Sequence, residues 1–260
     1  MILRRLAQHL KEQNWTAITI EFVLLVLGVF LGIQVANWNE ERQTRVRAES
    51  YTAHLKADLR HESWRYQFLL EYHRDVRAAA ERAVAALAGG VALSDEDFLI
   101  SAYRASQYKQ NASRRSTFDE LVSTGNIGLI LDRELRRQVV ALYNLTTIDH
   151  LVREGVESRY REHFRMSVPT DVQRALGQHC GDKYLRSGDY TDFDKVLDYS
   201  CQTGLPADVI TAAAEVLRTD PQTIRLLRLR IADLDTRLVD LTSNNREVYE
   251  FLLDATKDPP

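Results

Sequence analysis

The chain has 260 residues, enough for one domain or two small ones with a buried core. Lys and Arg total 34 against 37 Asp and Glu, a net charge of −3 that excludes the strong basic imbalance of a nucleic-acid binder. Only 11 glycines and 5 prolines occur, which favours long helices over a turn-rich β fold.

Residues 1–14 form a short N-terminal tail carrying Arg4, Arg5 and Lys11. The stretch 15–38, WTAITIEFVLLVLGVFLGIQVANW, follows. As a helix it covers roughly 35 Å, enough to cross a hydrocarbon core. Phe22 to Ile33 has no polar side chain, and Trp15 and Trp38 stand at the ends as interfacial anchors. A cleavable signal peptide would need small residues where Gln34, Asn37 and Trp38 stand, so the reading is an uncleaved transmembrane helix in a lipid bilayer, with a core helix of a soluble protein as the alternative. Arg42, Arg45 and Arg47 nearly balance the basic residues of the tail, so the positive-inside rule comes close to a tie. The free amino terminus tips it towards a cytoplasmic N-terminus.

Within the span, Glu21, Gly28, Gly32 and Ala36 fall within about 80° of one another on a helical wheel. Gly28 and Gly32 form a G-x-x-x-G pair that Ala36 extends, a pattern that lets two helices pack closely. Glu21 has two readings. It lies about 9 Å along the helix from Trp15, shallow enough to reach headgroups and water. Alternatively it faces a partner helix, where a second carboxylate would raise its proton affinity and a cation would keep it ionised.

Residues 40–88 contain no glycine or proline and are rich in helix formers, so the span is expected to continue as one long helix to Gly89-Gly90. Tyr66, Leu69, Val76, Ala80, Ala83 and Leu87 make an apolar stripe that His73 interrupts. His54, Asp58 and His61 share a face beside Glu62, a pattern that bundle helices can use for metals and that polar helix faces show more often. Ser94 is expected to cap a short helix, and Thr117 with Glu120 to form a capping box. Gly125-Asn126 ends that turn. Phe118 and Leu121 would pack on the bundle while Ser123, Thr124 and Asn126 satisfy the helix end. The segment reads as a tight corner or as a partner surface formed by Thr117, Glu120, Ser123, Gly125 and Asn126. Asp132 is expected to start a helix running through Arg165, with His150 and His163 solvated and Pro169 closing it. Arg114 and Arg115 offer a weak anion-binding signal.

Cys180 and Cys201 are the sole cysteines and bracket an irregular insert, about 177–205. They suit a disulfide in an oxidising compartment, with two separate buried thiols as the alternative. Pro206 opens the next helix, and Asp220-Pro221 is a good start for the last. From there Ile224, Ile231, Leu238, Asn245 and Leu252 recur every seven residues, with Leu227, Leu234, Leu241 and Val248 at the second heptad position. The extra apolar residues Leu226, Leu229, Val239 and Phe251 widen the stripe beyond a two-stranded seam, favouring an intrachain bundle over a coiled coil. Asn245 is the polar member that would fix register.

Two stretches carry a resemblance. IEFVLLVLGVFLGIQVANWNEER (residues 20–42) and STFDELVSTGNIGLILDRELRRQVVALYN (residues 116–144) are similar to the recurring blocks of a bacterial family of unknown function, single-span proteins with a long helix after the span. The matching residues are Glu21, Gly28, Asn37, Trp38, Asn39 and Glu40, then Thr117, Phe118, Glu120, Leu121, Ser123, Gly125 and Asn126. The resemblance implies a membrane protein and no known activity. It does not extend to the cysteine pair.

No P-loop, G-x-G-x-x-G, H-E-x-x-H or G-x-S-x-G motif occurs. The expectation is an all-α protein: a single span, then a helical bundle over residues 39–260, with no cofactor and no catalytic site. It would be a non-catalytic scaffold or interaction protein of the bacterial inner membrane. Its bundle would lie in the periplasm, and its partners would be the bilayer, a second copy or another envelope protein. Alternatives are a ligand-sensing bundle that signals through a partner, and an accessory subunit of a proton-driven or transport complex using Glu21.

Overall fold

A computed structural model describes residues 15–255; the N-terminal tail lies outside the described residues. Among those described there are helices and no strands, so the protein is all-α. The boundary between two compact units falls at Thr52–Ala53.

Helix α1 runs without a break over Trp15–Leu87, 73 residues. It ends as its sequence requires. Gly89 takes φ +76°, its N–H donates to Ala86 O, and that of Gly90 donates to Ala85 O, a Schellman stop that only glycine enters cheaply. In the first unit the large apolar side chains from Ile20 to Val35 point outward, from Val23 at 47% exposed to Leu25 at 66%. Among the described residues this helix alone is long and apolar enough to cross a membrane, with a window of mean hydropathy 2.2.

In the second unit the same helix is a core element. Leu55, Leu59, Tyr66, Leu69, Tyr72, Val76, Ala80 and Ala83 are buried along it. His73 belongs to that buried face, its ring Nδ1 bonded to Leu69 O at 2.7 Å. Helices α2 (Asp95–Ala105), α3 (Ser116–Ser123), α4 (Arg133–Tyr143), α5 (Thr147–Val156), α6 (Arg159–Ser167), α7 (Thr170–His179), α8 (Ala207–Thr219), α9 (Pro221–Val239) and α10 (Arg246–Asp254) follow. α2 packs on α8 and α6 on α9. Phe98, Leu99, Tyr160, Phe164, Leu176, Leu217 and Leu227 form the core with Ala80 and Ala83. Ser94, Asp132 and Asp220 cap their helices with side-chain oxygens.

Three local expectations are corrected. The helix from Asp132 to Arg165 is three helices, α4 to α6. Ser158 caps α6 by accepting from Arg161 N–H. Before it, the Tyr108 side chain presses against Gly155 so closely that a Cβ there would sit 2.6 Å from the tyrosine Cβ. His163 is buried, its Nε2 2.9 Å from Thr223 Oγ1, because it faces α9 rather than water. The last helix is also interrupted. A π turn at Asp240–Asn244 separates α9 from α10, and Asn245 closes it by donating to Asp240 O at 2.8 Å. Asn245 therefore satisfies a carbonyl loosened by the wider turn instead of setting a seam register. Tyr66 of α1 supplies a second donor there, to Leu241 O at 2.6 Å.

Candidate functional site

Three places carry the residues singled out by sequence: the apolar stretch of α1, the α3 corner and the cysteine-linked insert.

On α1, Gly28, Gly32 and Ala36 are exposed, and the space beyond both glycines is open. Glu21 is exposed on the same helix, and Trp38, which closes the apolar stretch, is 64% exposed. The side chain of Trp15 lies outside the described residues. Small residues in a row leave a shallow groove whose backbone a second helix can approach.

The corner is built on charge. Glu62 of α1 is 3% exposed, and its Oε2 meets Arg65 Nη1 at 2.7 Å. Its Oε1 accepts the Arg114 N–H at 2.6 Å, and Arg65 Nε donates to Asn111 O. One buried ion pair on α1 thus pins the segment entering α3. Thr117 is not part of a capping box. Arg115 occupies the N-cap position, and the Thr117 hydroxyl donates to Asp58 Oδ2 at 2.6 Å. A long-range acceptor took a side chain whose local pattern suggested a cap. Phe118 stacks on Tyr143 with centroids 4.7 Å apart, and Leu121 is fully buried. Gly125, at φ +69°, ends α3 with the Asn126 N–H on Leu121 O. Ser123 and Thr124 both bond the Glu120 carbonyl, and Asn126 Nδ2 donates to the Thr124 hydroxyl.

The His54, Asp58, His61 and Glu62 face is therefore divided. Both carboxylates serve the corner, and His54 is exposed. Burial, with the nearby Arg114 charge, holds His61 below its usual range. Arg115 pairs with Asp119 and lies over the Tyr143 ring.

Cys180 and Cys201 form a disulfide with Cα atoms 5.5 Å apart. The insert they close lies along α1 rather than standing away from it. Trp64 Nε1 donates to Asp189 O at 2.7 Å, Phe193 packs on the Trp64 and Phe68 rings, and the Tyr72 hydroxyl donates to Asp182 Oδ1 at 2.8 Å. Arg104, 5% exposed, donates to Tyr199 O and reaches Asp198 at 3.5 Å. Burial lowers its proton affinity, and the Asp198 charge works against that loss. Sequence reading left these docking residues unassigned. Their signal was an aromatic run at i, i+4 and i+8 on α1, Trp64, Phe68 and Tyr72, which the stripe through Tyr66 and Leu69 does not use.

Compared with protein-family models, with curated proteins and with solved structures, the chain gives no match.

Proposed function

We propose that the protein is a non-catalytic, single-pass membrane scaffold, with α1 as its anchor and the bundle as an interaction module. One observation carries this reading: a single helix turns apolar side chains outward from Ile20 to Val35, then buries an apolar face from Leu55 to Ala83. Exposing so many large apolar groups to water would cost tens of kcal/mol at about 25 cal/mol per Å², whereas a bilayer accommodates them. The resemblance of residues 20–42 and 116–144 to single-span bacterial proteins supports the same reading. The disulfide favours an oxidising compartment for the bundle, hence a periplasmic domain on the bacterial inner membrane with a cytoplasmic N-terminus. The open Gly28, Gly32 and Ala36 face favours self-association through the span or pairing with another envelope protein. The polar groups of the corner are engaged in holding the bundle together, which fits a scaffold better than an enzyme. Washing membranes with alkaline carbonate tests the anchor. The full chain is expected to stay in the pellet until detergent is added; release by carbonate alone would contradict it.

A further inference from the structure

The two ends of the disulfide sit in unequal surroundings. Cys180, at the close of α7, is fully buried and belongs to the core with Val172 and Leu176, whereas Cys201 is partly exposed. A thiolate arriving from solvent therefore meets the Cys201 sulfur and not its partner. That sulfur also touches a cation. Arg104 of α2 places Nη2 3.5 Å from Cys201 Sγ. The same nitrogen donates to Tyr199 O at 2.7 Å, a neutral acceptor, and Arg104 Nε is buried with no acceptor. Asp198 is held more closely by Arg82, at 3.1 Å, than by Arg104, at 3.5 Å. Glu96 of α2 reaches the segment after Cys201 but is occupied there by the Thr203 N–H and hydroxyl, at 2.7 and 2.6 Å. His179 of α7 turns its ring to Gly204, three residues beyond Cys201. Lys183 brings a further cation, its Nζ 3.8 Å from the centroid of the Tyr199 ring that Arg104 also covers, at 4.8 Å. The positive charge in contact with the sulfur is thus only loosely matched by a carboxylate.

We propose that Cys201 is a thiol–disulfide exchange site, where a dithiol reductant opens the Cys180–Cys201 bond and the Arg104 guanidinium stabilises the negative charge on sulfur. One thiol of the reductant ionises and its thiolate attacks Cys201 Sγ. A mixed disulfide forms there, the bond to Cys180 breaks, and Cys180 leaves as a thiolate that takes up a proton. The second thiolate of the reductant then attacks its own sulfur in the mixed disulfide. The reductant departs as a cyclic disulfide, oxidised by two electrons, and Cys201 is released as a thiolate beside Arg104. A guanidinium at this position favours both steps, because each places anionic charge on or next to Cys201 Sγ, and a thiolate next to a cation is the more stable leaving group. The outcome is a covalent closure of the insert that can be opened and remade, with the contacts of Trp64 and Tyr72 left to hold the insert on α1 when it is open. The chemistry is independent of the membrane anchor.

The test uses the full chain in nanodiscs of zwitterionic lipid. Brief exposure to glutathione, an acid quench and peptide mass mapping locate the first attack. The glutathione adduct is expected on Cys201, at least tenfold over Cys180; an adduct shared equally or richer on Cys180 would overturn the proposal. Reduction by dithiothreitol is then timed under native conditions. Arg104→Gln should slow it about fivefold or more, and Arg104→Lys should recover most of the rate. An arginine that only braces the insert gives the opposite sign, since its loss loosens the insert and speeds reduction. An unchanged or faster rate in Arg104→Gln therefore contradicts the assignment. A measurement on the unaltered chain stands beside the variants. After reduction, alkylation of Cys201 by iodoacetamide should reach half its plateau at a lower pH in the folded chain than in urea. An equal or higher midpoint in the folded chain would remove the role of the guanidinium. A bond that resists millimolar dithiothreitol until urea unfolds the chain would also overturn the proposal, leaving the disulfide a purely structural closure.

Discussion

His73 and Asp75 sit two residues apart on α1 and titrate in opposite senses. Burial pushes the His73 imidazole down to about 4 from its usual 6.5. The stability it contributes is whole above pH 6.5 and is lost as pH falls towards 4, because only the unfolded chain takes the proton there; the loss is on the order of 3 kcal/mol. Burial, with Asp198 and Glu71 nearby, pushes the Asp75 carboxyl up to about 7. The folded chain then keeps a proton that the unfolded chain releases. The Asp75 contribution is fully present below about pH 4 and is lost as pH rises through 7. Between pH 4.5 and 6.5 the two slopes oppose each other. Asp75→Asn should therefore make the urea midpoint fall more steeply on acidification, and His73→Leu should make it fall less steeply or rise. Equal slopes in the two variants would contradict this assignment. At the corner, Phe118→Ala removes a buried ring stacked on Tyr143 and should cost about 3–5 kcal/mol in urea unfolding. A cost under 1 kcal/mol would mean that the ring is not part of the core.

At the scale of elements, the cysteine-linked insert is the part most dependent on a single bond. It contains one short 3-10 turn, Phe193–Lys195, and closes a loop of sequence separation 21, so the disulfide is expected to contribute about 3 kcal/mol. Cys201→Ser should open 181–200 to limited proteolysis well before α8 and α9 are cut. Cleavage at the same rate with and without the disulfide would show that the Trp64, Phe68 and Tyr72 contacts hold the insert by themselves. The end of α1 and the starts of α2 and α9 were legible because their signals are local: Ser94 and Asp220 as caps, Gly89 as a stop. The breaks inside 132–167 were not. Nothing in YNLTTIDH announces a helix end, and Gly155 matters because Tyr108, 47 positions earlier, needs its space. Thr117 misleads for the same reason, since its partner Asp58 lies on a distant helix. The π turn before Asn245 was hidden too, because the heptad pattern continues across it and the donor from Tyr66 comes from elsewhere in the chain. Of the candidate site, the small-residue face follows from spacing, whereas the cysteine pair left a disulfide and two separate buried thiols both open until the structure showed the bond. The docking of the insert on α1 could not be read, because Asp182, Asp189 and Phe193 reach Tyr72, Trp64 and Phe68 from a distant part of the chain.

At the scale of the molecule, one helix changes character partway along its length. Its outward apolar stretch is long and apolar enough to cross a membrane, and its inward stripe organises a bundle with its own core. If the span self-associates through its small residues, Gly28→Leu with Gly32→Leu should lower the cross-linked dimer in membranes severalfold while leaving membrane retention unchanged. Undiminished cross-linking would move any association to another surface. The central claim is that α1 anchors the protein and delivers a disulfide-bonded bundle to the far side of the membrane. The most direct measurement treats intact spheroplasts with a membrane-impermeant maleimide, with and without an impermeant reductant. Cys201 is partly exposed and Cys180 fully buried, so the account predicts labelling at Cys201, without permeabilisation and only after reduction. Labelling that requires permeabilisation and needs no reductant would place the bundle in the cytoplasm with free thiols and contradict the account.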